Sequence, residues 1–245
     1  MEKFNTNFNF SIDDQEFEKF DEEDFSLMEA IAEDITSNYL SHLFSVPGFR
    51  TRLEVVDMLQ EEEIERFIDI IDENIGDLYV RNKGSDWREE KEEELTEPGL
   101  IYVWLSKEED EEEEDKDEVD KDEDEKETNK FVAYLCFKLC LDDEDKLVLY
   151  LYEIHVVKDY QGQKLGQALI NRFHELTLVL KGSANNLYEQ VEGTALTVFS
   201  SNEKALNWYT KMGYRILESS PQGKKLRNGK ITKPSYYLMS RSAGY

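Results

Sequence analysis

The stretch Leu147–Gly166, LVLYLYEIHVVKDYQGQKLG, joins a strand pattern to a glycine-containing loop and the start of a helix. Its first half, Leu147 to Val157, is apolar on both faces, which is typical of a central strand in a covered sheet. A short polar loop, Lys158 to Lys164, follows, and the helix begins at Leu165. Free backbone N–H groups at such a helix start, with the helix dipole, can hold an anion such as pyrophosphate. Taken alone, a plain strand-to-helix turn explains the loop equally well.

A second stretch, Ser201–Tyr214, predicts a capped helix after another strand pattern. Asn202 is a good N-cap, because its side chain can accept a hydrogen bond from a free N–H of the first turn. Gly213 is a good helix terminator, because glycine readily takes the left-handed conformation. Alone, this pattern indicates only an amphipathic helix with ordinary caps.

Together, the two stretches resemble the acetyl-coenzyme A motifs of the GNAT acetyltransferase family. The first motif, Gln/Arg-x-x-Gly-x-Gly/Ala, here reads Gln161, Lys164 and Gly166. The second, Asn-x-x-Ala-x-x-x-Tyr-x-x-x-Gly-Phe/Tyr, here reads Asn202, Ala205, Tyr209, Gly213 and Tyr214. Lys164 stands where the family usually has glycine, and its side chain either crowds the pyrophosphate or pairs with a phosphate. The resemblance implies acetyl-CoA as cosubstrate and a GNAT fold, with cofactor contacts from Ile154, His155, Val156, Gln161, Gly162, Gln163, Lys164, Leu165, Gly166, Gln167, Asn202 and Asn207.

Further segments resemble the NatD family, the N-alpha-acetyltransferases that modify the N-termini of histones H-four and H-two-A. They are SDWREEK at 85–91, LYLYE at 149–153, LTVF at 196–199, SSP at 219–221 and SYYLMSR at 235–241. The resemblance implies transfer of an acetyl group to the α-amine of a Ser-Gly-Arg-Gly-like N-terminus, with histone tails as partners. Two rivals stay open: a GNAT enzyme for lysine side chains or small amines, and an acidic histone-binding protein with weak catalysis.

Glu153 and Tyr209 are the candidate catalytic residues. Glu153 is a carboxylate in an otherwise apolar strand, and burial raises a carboxyl pKa toward the range of a general base. The alternative is a buried glutamate that only bonds to backbone or tyrosine. Tyr209 matches the tyrosine that in many GNAT enzymes protonates the leaving thiolate, with simple packing as the alternative. The resemblance also implies that backbone N–H groups near Ile154 polarise the thioester carbonyl.

The resemblance implies substrate contacts for Tyr79, Trp87, Tyr152, Glu153 and Tyr236. In a regular strand Tyr152 and Glu153 would point to opposite faces, so the assignment predicts a β-bulge that brings them to one site. For Trp87 the alternative is an anchor for its own loop. The substrate-binding aspartate of the family has no clear counterpart, and the nearest residues are Cys140 and Asp142.

The remaining elements predict one α/β (α+β) domain with a mixed central β-sheet flanked by helices. Before the opening stretch we expect strands at 51–58, 100–105 and 131–141 and an amphipathic helix over 64–78. After it we expect strands at 194–199, 214–218 and 235–240 and a helix over 203–212.

The domain is expected to span residues 51–241, followed by a C-terminal tail at 242–245. Residues 1–50 are an acidic N-terminal extension that we expect to be partly ordered by docking on the domain. The acidic run at 106–130 interrupts a strand pair and is expected to be a disordered insertion in a β-hairpin, because dense like charge repels and stays solvated. It is either an inert loop or an electrostatic lure for a basic substrate.

The formal net charge is −27, from 56 acidic and 29 basic residues. This excludes a general binder of nucleic acid, which needs a basic face. It favours basic partners such as histone tails through attraction that salt screens. The alternative is that the charge only keeps the protein soluble.

Cys136, Cys140 and three scattered histidines give no metal-ligand cluster, so no metal is expected. Four apart on a strand, the cysteines lie about 13 Å from each other, too far for a disulfide, which is typical of a reduced intracellular chain. No membrane span or signal peptide is visible, so no membrane partner is expected. We expect a monomer in the nucleus and cytoplasm, the location following from the family resemblance.

Overall fold

The computed structural model describes residues 4–107, 131–225, 227 and 231–244. Its strands are β1 (Phe10–Ile12), β2 (Gln15–Phe17), β3 (Phe49–Val55), β4 (Ile101–Lys107), β5 (Phe131–Leu141), β6 (Leu147–Val156), β7 (Gly193–Phe199), β8 (Arg215–Ile216), β9 (Lys224–Lys225), β10 (Ile231–Thr232) and β11 (Tyr236–Ser242). Its α-helices are α1 (Phe25–Ile35), α2 (Glu61–Lys83), α3 (Trp87–Leu95), α4 (Leu165–Lys181) and α5 (Glu203–Lys211).

Seven of these strands form the central sheet, in the order β3-β4-β5-β6-β7-β11-β8. The pairings are antiparallel except that of β6 with β7, which is parallel. Helix α4 packs on β5, β6 and β7 through an apolar stripe whose members are all buried: Leu165, Leu169, Phe173, Leu176 and Leu180. The predicted mixed sheet flanked by helices is therefore confirmed.

The N-terminal residues belong to the main hydrophobic core. Phe10, Ile12 and Phe20 are almost completely buried, as is one face of α1. Asp34 in α1 accepts a hydrogen bond from the Tyr188 hydroxyl, which ties the helix to the segment before β7. Apolar side chains of residues 1–50 that look isolated in an acidic sequence bury together once the chain folds back on the domain.

The charged stretch after Trp87 forms α3, a helix that the sequence analysis did not predict. Most residues of this helix are charged, so its sequence shows little apolar periodicity. Its buried face consists of Trp87, Lys91 and Leu95, which are spaced four apart. Helix α2 before it is longer than expected and departs from helical geometry at Ile75 (φ −144°, ψ 16°). Tyr79, beyond this bend, reaches β6.

The expected insertion lies mostly outside the described residues. Ser106 and Lys107, at its beginning, continue β4, and strand pairing resumes at Phe131, whose partner is Ser106. The acidic segment therefore connects two neighbouring antiparallel strands.

Two irregularities in β6 create the site. Cys136 pairs with Glu153 and Phe137 with Leu151, so Tyr152 is the extra residue of a β-bulge. The predicted bulge is confirmed. In addition, β6 pairs with β7 only over Val148–Leu151, so the two strands separate beyond that point.

Candidate active site

A cleft of about 1670 Å³ opens where β6 and β7 separate. Most residues of the expected cofactor site line it, namely Ile154, His155, Val156, Gln161, Gly162, Lys164, Leu165, Gly166, Gln167, Asn202 and Asn207. Gln163 is not among the lining residues. Of the expected catalytic and substrate residues, those that line the same cleft are Tyr79, Tyr152, Glu153, Tyr209 and Tyr236.

The loop between β6 and α4 adopts the backbone that anion binding requires. Gly162 has φ 81°, and Lys164, at the N-cap of α4, has left-handed φ 65° and ψ 16°. The left-handed conformation explains the family's preference for glycine at the position of Lys164. The turn is thus kept despite the lysine, and the free N–H groups of the first turn of α4 adjoin the cleft.

The second motif is largely structural. The Asn202 side chain caps α5 by accepting a 3.1 Å hydrogen bond from the N–H of Ala205, and Gly213 follows the helix with φ 92°. Both predicted capping roles are confirmed. Tyr214 is buried, and its hydroxyl lies 3.0 Å from Nε2 of His174 and 2.8 Å from Oγ1 of Thr194.

Glu153 is the polar centre of the cleft. Its Oε1 accepts from the Tyr79 hydroxyl at 2.7 Å and lies 2.9 Å from Nζ of Lys91, while its Oε2 lies 2.7 Å from Nε2 of His155. Burial acts to raise the pKa of this carboxyl, but the Lys91 ammonium and the His155 hydrogen bond outweigh burial and lower it. The expected raised pKa was therefore wrong, because the sequence did not show that Lys91 lies beside Glu153.

Asn74 of α2 fixes the orientation of His155. Its side-chain amide donates to the Val156 carbonyl at 3.1 Å, and Nδ2 also lies 3.3 Å from Nδ1 of His155. With an amide donor at Nδ1, the imidazole carries its proton on Nε2 and donates it to Glu153. Gln161 of the cofactor loop donates to Asn74 Oδ1 at 2.9 Å, so hydrogen bonds connect this loop to Glu153.

Trp87 supports the site from behind. Its ring stacks on Tyr79 with a centroid separation of 4.6 Å, and Trp87 is buried and does not line the cleft. The anchoring role given as the alternative at the sequence level fits this position better than a substrate contact. Tyr79, in contrast, presents its hydroxyl to Glu153.

Tyr209 lies against the opposite wall. It lines the cleft and packs against Trp208 and Tyr214 at centroid distances of 5.1 and 5.5 Å. Burial raises its pKa, and the nearby Glu153 carboxylate acts in the same direction. A phenol held neutral in this way can serve as a proton donor, and that role stays a prediction.

Carboxylates from three segments surround the start of β6. Glu94 of α3, Glu97 just after it and Asp143 of the β5–β6 turn line the cleft. Glu97 Oε2 accepts from the Tyr152 hydroxyl at 2.9 Å and from Lys138 at 3.1 Å.

Cys140 and Asp142, the residues nearest to the family's substrate-binding aspartate, are both buried outside the cleft lining. Asp142 instead holds its turn by accepting from the N–H groups of Glu144 and Lys146.

The other end of the cleft is basic. Lys158, Lys164, Lys204 and Lys211 line it, around the cofactor loop and α5. In a chain of net charge −27 such a cluster is informative. The carboxylates near the start of β6 have lysine partners of their own, since Glu94 pairs with Lys91 and Glu97 with Lys138. The sequence did not predict Asn74, Lys91, Glu94, Glu97 or Asp143 as site residues. Only the segment containing Lys91 stood out, as part of SDWREEK at 85–91.

In the described part of the chain, no group of three or more His, Cys, Asp or Glu side chains is placed to hold a metal ion. No helix among these residues is long and apolar enough to cross a membrane.

Comparison with known proteins agrees with this geometry. Residues 121–216 match the family model of the acetyltransferase (GNAT) domain. This range includes β6, the cofactor loop, α4 and α5, so the matched segment contains much of the lining of the cleft. N-alpha-acetyltransferase 40 of Saccharomyces cerevisiae is 24% identical over 177 residues, covering 66% of this chain and 54% of that protein. The chain thus spans about half the length of the curated relative it matches.

Solved structures also match most of this chain at low sequence identity. Arabidopsis thaliana NAA60 in complex with acetyl-CoA is 16% identical with a TM-score of 0.47, covering 80% of this chain and 100% of that chain. The Pyrococcus horikoshii OT3 protein PH1933 is 15% identical with a TM-score of 0.47 at the same coverage.

Proposed function

We propose that this protein is an acetyl-CoA-dependent N-terminal acetyltransferase. The observation that carries the proposal is one continuous cleft that is basic at the end of β6, acidic at its start, and contains Glu153 between them. A nucleotide with phosphates fits the basic end, and a peptide that begins with a free amine and continues with a basic side chain fits the acidic end. The GNAT domain match over residues 121–216 supports the same activity.

The residues present fit acetyl-CoA. The first turn of α4 offers free N–H groups to the pyrophosphate, and Lys158, Lys204 and Lys211 at that end can pair with phosphates. Beyond Leu151, β6 loses its β7 partner, so this edge can pair with the amides of the pantetheine arm. When bound, the thioester supplies the activated acetyl group.

The proposed reaction is direct attack in a ternary complex. The substrate amine, in its neutral form, attacks the thioester carbon; the C–N bond forms, the C–S bond breaks, and the thiolate takes up a proton, for which Tyr209 is the candidate donor. An N-terminal amine has a pKa of about 7.7 to 8.0, so part of it is already neutral near pH 7.5. In this reaction Glu153 accepts a hydrogen bond from the amine and takes up the one proton that the amine releases when the C–N bond forms.

An acyl-enzyme route has no suitable thiol. Cys136 and Cys140 are the two cysteines of the chain, both are buried, and neither lines the cleft. Burial raises the pKa of both thiols, which disfavours the thiolate that would be the nucleophile.

The substrate proposed in particular is a Ser-Gly-Arg-Gly-like N-terminus of histones H-four and H-two-A. The acidic end of the cleft and the likeness to N-alpha-acetyltransferase 40 of yeast support it. We also propose action as a monomer on these tails in the nucleus and cytoplasm, without nucleic acid or membrane as partner; the net charge of −27 favours basic partners.

The test uses a Ser-Gly-Arg-Gly-Lys peptide with its N-terminus free or blocked. Thiol release and peptide mass are followed after mixing with acetyl-CoA. Transfer to the free peptide alone is expected. Equal transfer to both peptides would move the chemistry to the lysine side chain. Absence of transfer to either, with folded protein, would contradict the proposed activity and favour a histone-binding protein.

A further inference from the structure

Lys91 is a buried ammonium at the wall of the cleft. It lies in α3 with 4% of its side chain exposed, although lysine is almost never buried without a partner. Its Nζ lies 2.9 Å from Oε1 of Glu153 and 2.6 Å from Oε1 of Glu94, and it faces the Tyr79 ring at 5.0 Å. Lys91 therefore joins α3 to the most buried carboxylate of the site.

The surroundings of Glu153 make this ion pair consequential. His155 faces the carboxylate from β6 itself, and Tyr79 faces it from α2. Lys91 and Glu94 both face it from α3. From the remaining elements the facing groups are uncharged hydroxyls and a thiol: Tyr102 of β4, Tyr134 and Cys136 of β5, and Tyr209 of α5. The ammonium of Lys91 approaches Glu153 from α3, and the His155 ring adds a hydrogen bond from β6.

We propose that Lys91 is a positioning residue for the transfer reaction, whose ammonium holds the Glu153 carboxylate in its charged form and aimed at the cleft. The inference rests on the proposed function for its catalytic consequence. Without an adjacent cation, a carboxylate this deeply buried takes up a proton, and a protonated Glu153 cannot accept one from the substrate amine.

A purely structural role is the competing explanation. Lys91 also tethers α3 to the sheet, so its removal can loosen the wall of the cleft without affecting how Glu153 ionises. The two explanations predict different titrations of Glu153. If Lys91 only tethers α3 to the sheet, replacing it should leave the titration midpoint of Glu153 unchanged.

The experiment is a carbon-13 NMR titration of side-chain carboxyl groups in protein labelled at glutamate, with Glu153→Gln to assign the signal. In the wild type, the Glu153 signal is expected to stay unchanged from pH 8 to pH 4. In Lys91→Met the signal is expected to titrate within this pH range, because removal of an adjacent opposite charge raises the midpoint by about 1 to 3 pH units. Lys91→Arg, which keeps the cation, should restore the wild-type titration.

Lys83→Met is the matched control. Lys83 lines the same cleft, but it is half exposed and pairs with Glu90 at 3.1 Å. The substitution removes one positive charge that does not contact Glu153, so the titration midpoint of Glu153 should not change. Thermal unfolding of each variant shows which of them are folded.

The second readout is kcat and KM against pH with the free-amine peptide. Lys91→Met should lose kcat progressively as pH falls, with KM for acetyl-CoA unchanged and with rescue by Lys91→Arg. An ordinary titration of Glu153 near pH 4.3 in the wild type would overturn the proposal even if Lys91→Met does not fold. An unchanged Glu153 titration in folded Lys91→Met would also overturn the proposal. If the wild type transfers no acetyl group but Glu153 titrates as expected, the proposed function fails while the role of Lys91 in charging Glu153 stands.

Discussion

The Tyr79 hydroxyl donates a 2.7 Å hydrogen bond to Oε1 of Glu153, a residue 74 positions further along the chain. Tyr79 lies just past the bend in α2, and Glu153 follows the bulge residue of β6. Two local irregularities, one in a helix and one in a strand, therefore bring together the aromatic wall of the cleft and its buried carboxylate.

Glu153→Gln should lower kcat by about two to four decades, because the amide keeps the shape of the side chain but cannot take a proton. Tyr79→Phe is the matched comparison, since it removes one donor to Glu153 and keeps the stacking on Trp87. It should lower kcat far less than Glu153→Gln does. Steady-state acetylation of the free peptide measures both. Thermal unfolding accompanies them, because Glu153→Gln leaves Lys91 with Glu94 as its carboxylate partner. Near-normal turnover of Glu153→Gln across pH would remove Glu153 from the chemistry.

Lys164→Gly should raise the free energy of unfolding by about 1 kcal/mol, because a non-glycine residue in the left-handed region is strained. Acetyl-CoA affinity should be kept or improved, since the backbone donors of the turn remain. Denaturant unfolding and calorimetry measure the two effects. Gly162→Ala is the opposite control and should destabilise, as Gly162 has φ 81° with open space around it. A clear loss of affinity in Lys164→Gly would instead show that its ammonium pairs with a phosphate.

Glu97→Gln should raise KM about tenfold for a peptide with arginine near its N-terminus, the loss expected for one hydrogen bond to a charged group. A peptide with a neutral residue at that position should be unaffected. Glu90→Gln is the matched control, because Glu90 lies on α3 but does not line the cleft. Equal KM changes for both peptides would rule out Glu97 as the group that selects a basic side chain.

Stability should fall as pH decreases from about 6.5 to about 4 because of His174. Burial, and secondarily the charge of Arg241, lowers its pKa to about 4, so between these values the unfolded chain binds a proton that the folded chain excludes. The neutral imidazole accepts from the Tyr214 hydroxyl, and its stabilisation is full above pH 6.5 and lost toward pH 4. The loss should be at most about 3 kcal/mol.

Denaturant unfolding at several pH values measures this effect. His174→Gln can still accept from Tyr214 but does not titrate, so the pH slope between 6.5 and 4 should decrease. An unchanged slope in folded His174→Gln would assign the acid sensitivity to other groups.

Much of the site could be predicted from local sequence. The cofactor loop, the cap at Asn202 and the helix end at Gly213 follow from residues within a few positions of each other, because turn and cap preferences are local. The bulge at Tyr152 was predictable because two adjacent site residues in one strand require it. In contrast, α3 was missed because its apolar face consists of only a few side chains in a highly charged segment.

The sequence by itself determined the mixed α/β sheet, the loop before α4 and the buried position of Glu153, since periodicity and turn chemistry are encoded over short distances. The tertiary structure alone decided which charged and polar groups surround Glu153 and β6. Asn74, Lys91 and Glu97 approach β6 from α2, α3 and the loop after α3, respectively. Electrostatic energy depends on distances in space, so the pKa of Glu153 could not be predicted until the fold placed Lys91 2.9 Å away.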